Sequence, residues 1–259
     1  MGLTNKMAKI FGLLIFWIGG ANLLLAQESG DQILDGIGET GMIARYVFDG
    51  NLKDWSRNGL HAVSKNGQAK FVKDEKFGNV LALSGAKDDY LNLPTGTLNG
   101  LESLSISVWL SMKADGTGQY IFDFGKDNKQ HFFATPFGTS AQKGFQTLIT
   151  DQGENKGGAI AQALPLNKWI HVAIVVDVFS KNIVSYVDGK QVAEGNNIPK
   201  EIAKLFDTSG KFHIGKSLSG EGPSLNGLIH DFRIYRVALT KKQVSGIYFN
   251  GQNAVRQDQ

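Results

Sequence analysis

The chain has 259 residues, carries 27 lysines and arginines against 24 aspartates and glutamates, and contains no cysteine. This near-neutral balance gives no reason to expect a nucleic acid or an anionic membrane surface as partner. The absence of cysteine excludes disulfide bonds and thiol chemistry, so a hydrophobic core alone must hold the fold.

The N-terminus has the pattern of a secretory signal peptide. Lys6 and Lys9 precede an apolar run from Ile10 to Leu25, and a polar segment follows Ala26. A basic region, an apolar stretch and a small residue at the cleavage point are typical of such a signal. A run of about 16 residues is short for a bilayer span, so a permanent N-terminal anchor is the less favoured alternative. We therefore expect cleavage after Ala26 and a secreted or periplasmic protein that is not inserted in the membrane.

The rest of the sequence predicts a single domain. Residues 27–41 are polar and glycine-bearing, as in a flexible leader, and residues 252–259 form a polar tail. Residues 42–251 carry a regular apolar pattern with no internal repeat and no interdomain linker. About 210 residues can bury a sizeable core in one domain. Removal of residues 1–26 takes away two lysines and no acid, which leaves 25 basic against 24 acidic side chains.

Short runs of β-branched and aromatic residues, bounded by glycine, asparagine, aspartate or proline, dominate this domain. At this spacing they predict an antiparallel β-sandwich. Asp188-Gly189 is a strong signal for a two-residue hairpin turn between two such runs. In chain order the runs are Ile43–Phe48, Val80–Leu83, Tyr90–Leu93, Leu104–Leu110, Tyr120–Phe124, His131–Ala134, Phe145–Thr150, Trp169–Val176, Ile183–Val187, Lys211–Ile214 and Leu228–Tyr235.

One or two short peripheral helices are expected beside the strands. Thr240 and Gln243 have the spacing of a capping box, and Val244 and Ile247 follow on one apolar face. A second helical turn is predicted within Pro199–Phe206. The predicted fold is thus an all-β, antiparallel two-sheet sandwich with peripheral helices.

Several of these segments, in this order, resemble the laminin-G-like jelly rolls of the concanavalin A-like lectin and glucanase superfamily, in the form found among exported bacterial proteins. The resemblance implies a jelly-roll sandwich over nearly the whole mature chain. It does not imply one activity, because this fold hosts lectins, glycosidases, lyases and adhesion modules. The segments that carry it are Tyr46–Asp54, Asn58–Ala62, Leu81–Leu83, Tyr90–Pro94, Leu104–Trp109, Trp169–Ala173, Tyr186–Lys190, His213–Gly215 and Gly227–Arg236.

The enzymatic motifs of the resembled superfamily are absent. Its glucanases place carboxylates at alternate positions of one strand, where they face the same side of the sheet. No Asp or Glu in this chain is followed by another two residues later. The Arg-x-Glu and Gln-x-His strands of the jelly-roll lyases are missing as well. A pair from separate strands, such as Asp123 with Asp151, is the remaining alternative to a non-enzymatic domain.

Three large or titratable side chains within the strands are interpreted as structural. Trp109 and Trp169 occupy mid-strand positions of the matching segments, so we expect both in the core. His171 stands in an apolar run, which favours a buried histidine that hydrogen-bonds within or between the sheets.

A calcium ion is the one cofactor that the sequence suggests. Asp49, Asn51, Asp54 and Asn58 crowd one loop with oxygen donors, which suit a hard cation. The resemblance implies that such an ion joins this loop to an acid of the closing strand, here Asp231. The alternative is that the loop residues are turn formers that bond their own backbone.

Carbohydrate binding requires exposed aromatic rings beside planar polar groups. The candidates are Trp55, Phe132, Phe133, Phe137 and Asp151. The alternatives are that Trp55 packs beneath its own loop, that the phenylalanines belong to the core, and that Asp151 sits in a solvated turn.

The sequence therefore predicts a secreted, non-catalytic recognition module whose partner is a polysaccharide or glycan. The alternative is an adhesive or structural module that binds another exported protein. An atypical glycosidase or polysaccharide lyase is less favoured.

Overall fold

The structure is a computed structural model that describes residues 41–198 and 209–253. These residues fall within one unit, Asp31–Gln259. In this part of the chain no helix is long and apolar enough to cross a membrane. The predicted signal peptide, the leader up to residue 40 and the helical turn predicted at Pro199–Phe206 lie outside the described residues.

The described residues form fifteen strands and one helix. The elements are β1 (Met42–Tyr46), β2 (Val63–Ser64), β3 (Lys70–Asp74), β4 (Gly78–Ser84), β5 (Leu91–Asn92), β6 (Leu104–Met112), β7 (Phe122–Gly125), β8 (His131–Thr135), β9 (Phe145–Asp151), β10 (Glu154–Ala161), β11 (Ile170–Asp177), β12 (Asn182–Val187), β13 (Lys190–Asn196), β14 (Lys211–Ile214), β15 (Asn226–Tyr235) and α1 (Lys241–Asn253).

The strands form two antiparallel sheets. Sheet A has the order β13-β12-β11-β6-β15-β4-β3, and β1 also pairs with β15. Sheet B has the order β10-β9-β8-β7-β14-β5-β2. Neighbours in both sheets are often distant in sequence, as in a jelly roll. The predicted all-β two-sheet sandwich is confirmed.

The core lies between the sheets and follows strand alternation. Alternate residues of β6, such as Leu104, Ile106 and Val108, face the interior from sheet A. Phe122 and Phe132 face them from sheet B, with ring centroids 5.0 Å apart. Each fully buried side chain of this kind contributes about 1.5–3 kcal/mol. This core stabilises a fold that has no disulfide.

The outer face of sheet A is covered, which removes it as an open ligand surface. Trp109 is 2% exposed because Tyr248 of α1 stacks on it at 5.8 Å and Phe77 of the β3–β4 turn packs at 5.2 Å. His171 is buried beside Trp109, and Ser107 Oγ lies 2.8 Å from its Nε2. Trp109 and His171 are thus buried as expected, but beneath α1 and outside the space between the sheets. Trp169, expected in the core, is half-buried and donates from Nε1 to Asp74 at 3.0 Å.

Two-residue turns close two hairpins. Asp188 and Gly189 have φ values of 49° and 72° between β12 and β13, which confirms the predicted turn. Gln152 and Gly153 have φ values of 52° and 82° and join β9 to β10 in the same way. Glycine populates this left-handed region without a steric cost. The polar stretch around residue 151, one alternative for which was a solvated turn, is therefore a hairpin tip between two strands.

The helix α1 starts at the predicted capping box and runs further than expected. Thr240 N donates to Gln243 Oε1 at 2.8 Å, and Gln243 N donates to Thr240 Oγ1 at 3.3 Å. These reciprocal bonds satisfy backbone groups that the first turn leaves unpaired. The helix continues to Asn253, past the predicted domain end at residue 251.

The outer strands of the two sheets meet at a pair of glycines. A Cβ at Gly195 of β13 would lie 1.7 Å from the carbonyl oxygen of Gly158 in β10. Only glycine permits this backbone approach, which closes one side of the sandwich.

Candidate functional site

In the loop proposed to bind calcium, the side-chain oxygens accept hydrogen bonds from nearby backbone N–H groups. Asp54 Oδ1 accepts from Arg45 N at 3.0 Å and from Ser56 N at 2.8 Å, and Oδ2 accepts from Leu60 N at 2.9 Å. Asn51 Oδ1 accepts from Lys53 N at 2.9 Å. These side-chain to backbone bonds are those of turn-forming residues.

The closing-strand acid that was expected to complete the calcium site is paired with arginines. Arg45 Nε donates to Asp231 Oδ1 at 2.8 Å, and Arg233 Nε donates to Oδ2 at 3.0 Å. Asp231 and Arg233 are buried. Burial opposes ionisation of Asp231, but the two guanidinium groups outweigh it and hold the pKa of Asp231 well below its usual range.

This donor set does not fit a calcium ion. Both oxygens of Asp231 face cationic N–H groups, and both oxygens of Asp54 accept N–H bonds. Asp49 Oδ1 accepts from Asn79 Nδ2 at 2.8 Å. Across residues 41–198 and 209–253, no group of three or more His, Cys, Asp or Glu is placed to hold a metal ion. Calcium binding remains a prediction of the sequence that the arrangement of these residues does not favour.

The structure separates the predicted carbohydrate-binding residues. Trp55 is 58% exposed, so it does not pack beneath its loop. Phe132 and Phe137 are buried in the core, which corrects their assignment as ligand contacts. Phe133 lies on the outer face of sheet B, because it alternates with Phe132 along β8. Asp151 ends β9 and accepts from Gln130 Nε2 at 2.6 Å.

Asp123 and Asp151 do not form a glycosidase pair. Asp123 pairs in register with Phe133 and shares its outer face. Asp151 follows the core residue Ile149 by two positions, so its side chain projects to the same, inner side at the end of sheet B. A glycosidase needs both carboxylates beside the same bond, and sheet B separates these two.

The outer face of sheet B carries several polar side chains. Neighbouring strands place His213, Asp123, Phe133 and Leu148 in one row across the sheet. Paired residues of antiparallel strands project to the same side and contact each other. The polar and aromatic residues of this outer face, called the Asp123 face from here on, are Tyr90, Tyr120, Asp123, His131, Phe133, Thr135, Gln146, Thr150 and His213.

Asp123 forms hydrogen bonds with two neighbouring groups. His131 Nδ1 lies 2.7 Å from its Oδ1, and Leu218 N donates to Oδ2 at 2.8 Å. Burial raises the pKa of Asp123, and the bonds from His131 and Leu218 oppose that rise. The buried pair therefore fixes the orientation of the His131 ring.

Several polar atoms of the Asp123 face have no hydrogen-bond partner among residues 41–198 and 209–253. They are Thr135 Oγ1, Gln146 Oε1, Thr150 Oγ1 and His213 Nδ1. Burial lowers the pKa of His213 to about 4, against an opposing hydrogen bond with the backbone of Ser217. The ring is therefore neutral at pH 7. Because its other nitrogen carries the bond to Ser217, Nδ1 presents a lone pair.

Aromatic rings lie beside the polar side chains of the Asp123 face. Tyr90 lies 4.9 Å from His213 between ring centroids, and Tyr120 lies 5.3 Å from Phe133. Both tyrosines are partly exposed, whereas Phe133 is 4% exposed. The accessible rim is thus made by Tyr90, Tyr120 and His213, and Phe133 supports it from below.

The sequence indicated only Phe133 among these residues as a ligand contact. Asp123 and His131 are eight residues apart, which is no recognised motif, and His213 comes from a strand that follows far along the chain. One usable signal was alternation. Asp123 interrupts the apolar Phe122 and Phe124, and such a polar residue within an apolar strand marks the second face of a sheet.

Comparison with known proteins agrees with this architecture. Human usherin is 25% identical over 206 residues, which cover 74% of this chain and 3% of usherin. Mouse usherin is 26% identical over 159 residues, which cover 56% of this chain and 3% of that protein. The chain thus spans a small part of either relative.

Solved structures share the fold. Domain 4 of AbnA, a GH43 extracellular arabinanase from Geobacillus stearothermophilus in complex with arabinotriose, has a TM-score of 0.65 and 24% identity, covering 80% of this chain and 98% of that one. The binding domain of Paraclostridial Mosquitocidal Protein 1 has a TM-score of 0.63 and 16% identity, covering 81% and 52%. The binding domain of Botulinum neurotoxin DC in complex with SialylT has a TM-score of 0.61 and 17% identity, covering 83% and 52%.

A family model gives the assignment. The model described as the concanavalin A-like lectin/glucanases superfamily matches residues 84–245, which is more than half of the chain and includes every residue of the Asp123 face. The chain belongs to the concanavalin A-like lectin/glucanases superfamily.

Proposed function

We propose that the protein is an exported, non-catalytic recognition module that binds a polysaccharide or glycan on the Asp123 face. The observation that carries the proposal is the partly exposed rim of Tyr90, Tyr120 and His213 beside buried polar groups, such as Gln146 Oε1, that have no hydrogen-bond partner among the described residues. Ligand sites combine aromatic walls with a few fixed polar groups in this way. The N-terminal signal pattern supports export.

The chemistry of this face suits sugar hydroxyl groups. The Oε1 of Gln146 and the Nδ1 of His213 are acceptors, and each sugar hydroxyl can donate one hydrogen bond. A buried polar group without a partner costs about 1–3 kcal/mol, so a ligand or ordered water that satisfies it is favoured. Tyr90 and Tyr120 offer apolar ring faces with a polar tip. A neutral, hydroxyl-rich ring fits these groups better than an anion, since Asp123 lies beneath it.

Related folds support a glycan as the ligand class. The arabinanase domain was solved with arabinotriose, and the neurotoxin DC domain was solved with SialylT. Both names concern those proteins, and the likeness to this chain is one of fold.

The test is affinity electrophoresis against a panel of soluble neutral glycans, arabinan included. Tyr120→Ala and His213→Ala should each weaken retardation at least about tenfold, the loss of one good contact. Trp55→Ala is the matched control, an exposed aromatic residue outside the Asp123 face. Loss of binding in Trp55→Ala alone would place the site on the first loop, and an absence of retardation by any glycan would refute the proposal.

A protein partner is the second candidate, because the highly exposed Phe179 has no role in the glycan proposal. Phe179 is 82% exposed and lines a cleft of about 470 Å³ with Glu102, Arg236 and Val237. Aromatic residues and arginine are enriched at protein interfaces. The neurotoxin DC binding domain was also solved with rat synaptotagmin II. Crosslinking to exported proteins that Phe179→Ala abolishes, with Tyr120→Ala unaffected, would favour this function.

A further inference from the structure

A second cleft lies between the β12–β13 turn and α1, well outside the Asp123 face. It has a volume of about 570 Å³ and is lined by Lys190, Lys241, Tyr248 and Phe249, among others. This volume is within the range of small-molecule sites. The cleft, called the hairpin–helix cleft below, has room for a sugar residue.

One wall of this cleft is aromatic. Phe249 is 59% exposed, and its ring centroid lies 5.2 Å from that of Tyr248. Tyr248 is fixed from behind by stacking on Trp109 at 5.8 Å. The aromatic wall is therefore anchored to sheet A while Phe249 presents its ring to solvent.

The charge of the cleft is positive. Lys190 and Lys241 are exposed on its two sides. Asp188 is its acidic lining residue, and Asp188 Oδ1 already accepts from His171 N at 2.9 Å. Two ammonium groups thus face one carboxylate that is engaged with the backbone. An anionic ligand is favoured here, although the protein as a whole is almost neutral.

The two sides of the cleft are joined to each other. Ser245 Oγ of α1 donates to the carbonyl of Gly189 in the turn at 3.2 Å. A Cβ at Gly189 would lie 3.1 Å from the Tyr248 ring, so the turn and the helix are in close contact. A site on rigid elements loses little conformational freedom when it binds a ligand.

We infer that the hairpin–helix cleft binds a carboxylate-bearing sugar residue of an acidic polysaccharide. The sugar ring packs on Phe249, and its carboxylate lies between Lys190 and Lys241. This site is distinct from the Asp123 face, and it does not depend on glycan binding there.

The experiment compares two ligands that share the same sugar rings and differ in whether the carboxylate is charged or methylated. Isothermal titration uses oligogalacturonate and its methyl ester, which has the same rings without the carboxylate charge. The wild-type protein should bind the acid at least about tenfold more tightly than the ester. The double variant Lys190→Gln/Lys241→Gln should lose this preference, whereas Lys242→Gln, a neighbouring exposed lysine, should keep it. Phe249→Ala should weaken binding of both ligands.

Salt and the other site supply the remaining controls. Binding of the acid should weaken between low salt and 0.5 M NaCl, because an exposed ion contact is screened, whereas binding of the ester should not. Tyr120→Ala should leave oligogalacturonate binding unchanged. Equal affinity for acid and ester, or an unchanged preference in the double variant, would overturn the inference. Neither result would bear on neutral-glycan binding by the Asp123 face, which the arabinan assay measures separately.

Discussion

Replacement of Asp231 by asparagine is the sharpest test of how the two ends of the domain are joined. Asp231 lies in β15, and its bond to Arg45 of β1 connects residues 186 positions apart. Asp231→Asn keeps the size of the side chain and removes its charge. Arg233, itself buried, would then lose the carboxylate that faces it.

The magnitude follows from burial. Removal of one partner of a buried ion pair costs about 3–5 kcal/mol, because the remaining charge stays desolvated. For a domain of this size, each kcal/mol lowers the melting temperature by about 2–4 °C. We therefore expect Asp231→Asn to melt about 6–20 °C below the wild type.

The pH dependence has a definite sign. The folded pKa of Asp231 is held below its usual value. The resulting stabilisation is fully present above the unfolded value of about 3.9, and it is lost as the pH falls toward the folded pKa. The wild type should therefore begin to lose its advantage over Asp231→Asn as the pH falls below about 4, and the difference should shrink progressively toward pH 3.

Calorimetry from pH 3 to pH 7 measures both effects. Asp49→Asn is the matched control, because Asp49 belongs to the predicted calcium set but contacts Asn79 in an exposed position. A surface substitution of this kind should change stability by less than about 0.5 kcal/mol. A shift of less than 2 °C in Asp231→Asn would refute the argument from burial. Equal destabilisation by Asp49→Asn in calcium buffer would instead support a shared ion.

Three further outcomes are expected. Because the proposed calcium ligands are engaged by N–H groups, EDTA should leave the melting curve unchanged, and a lowered melting temperature would restore the calcium prediction. Gly195→Ala should destabilise the domain by about 1–3 kcal/mol in urea unfolding, since its Cβ would overlap the carbonyl of Gly158; an unchanged midpoint would show that the sheet edges can separate freely. Burial, assisted by Arg233, lowers the pKa of His171 to about 3, so its neutral form is favoured in the fold. Stability should fall by up to about 1.4 kcal/mol per pH unit as the pH drops from about 6.5 toward 3, and this slope should diminish in His171→Gln; an identical slope in the variant would contradict the assignment.

The strands and turns could be predicted because their signals are local. The alternation of Leu104, Ile106 and Val108 is set by the two-residue period of a strand, wherever that strand lies in the fold. Asp188-Gly189 and the Thr240 capping box likewise depend on backbone conformations a few residues long. The strands β3 (Lys70–Asp74) and β10 (Glu154–Ala161) were missed, since polar residues and glycines make up most of both and leave no run of β-branched and aromatic residues to recognise.

The site could be predicted only in part because burial is not local. Phe132 and Phe133 are adjacent and chemically identical, yet one packs in the core and the other supports the outer face. Alternation shows that the two rings point in opposite directions, but it cannot say which direction is inward. The burial of Trp109 is also non-local, because the helix α1 that covers it lies more than a hundred residues further along the chain.

The sequence by itself determined the all-β class, the principal hairpin, the capped helix and the absence of the known catalytic motifs, since each depends on neighbouring residues. Tertiary structure alone decided that Asp231 faces Arg45 and Arg233, and that His213 lies beside Asp123 on one face. These contacts join strands far apart in the chain. Their free energies depend on desolvation by the assembled sheets, which no local pattern encodes.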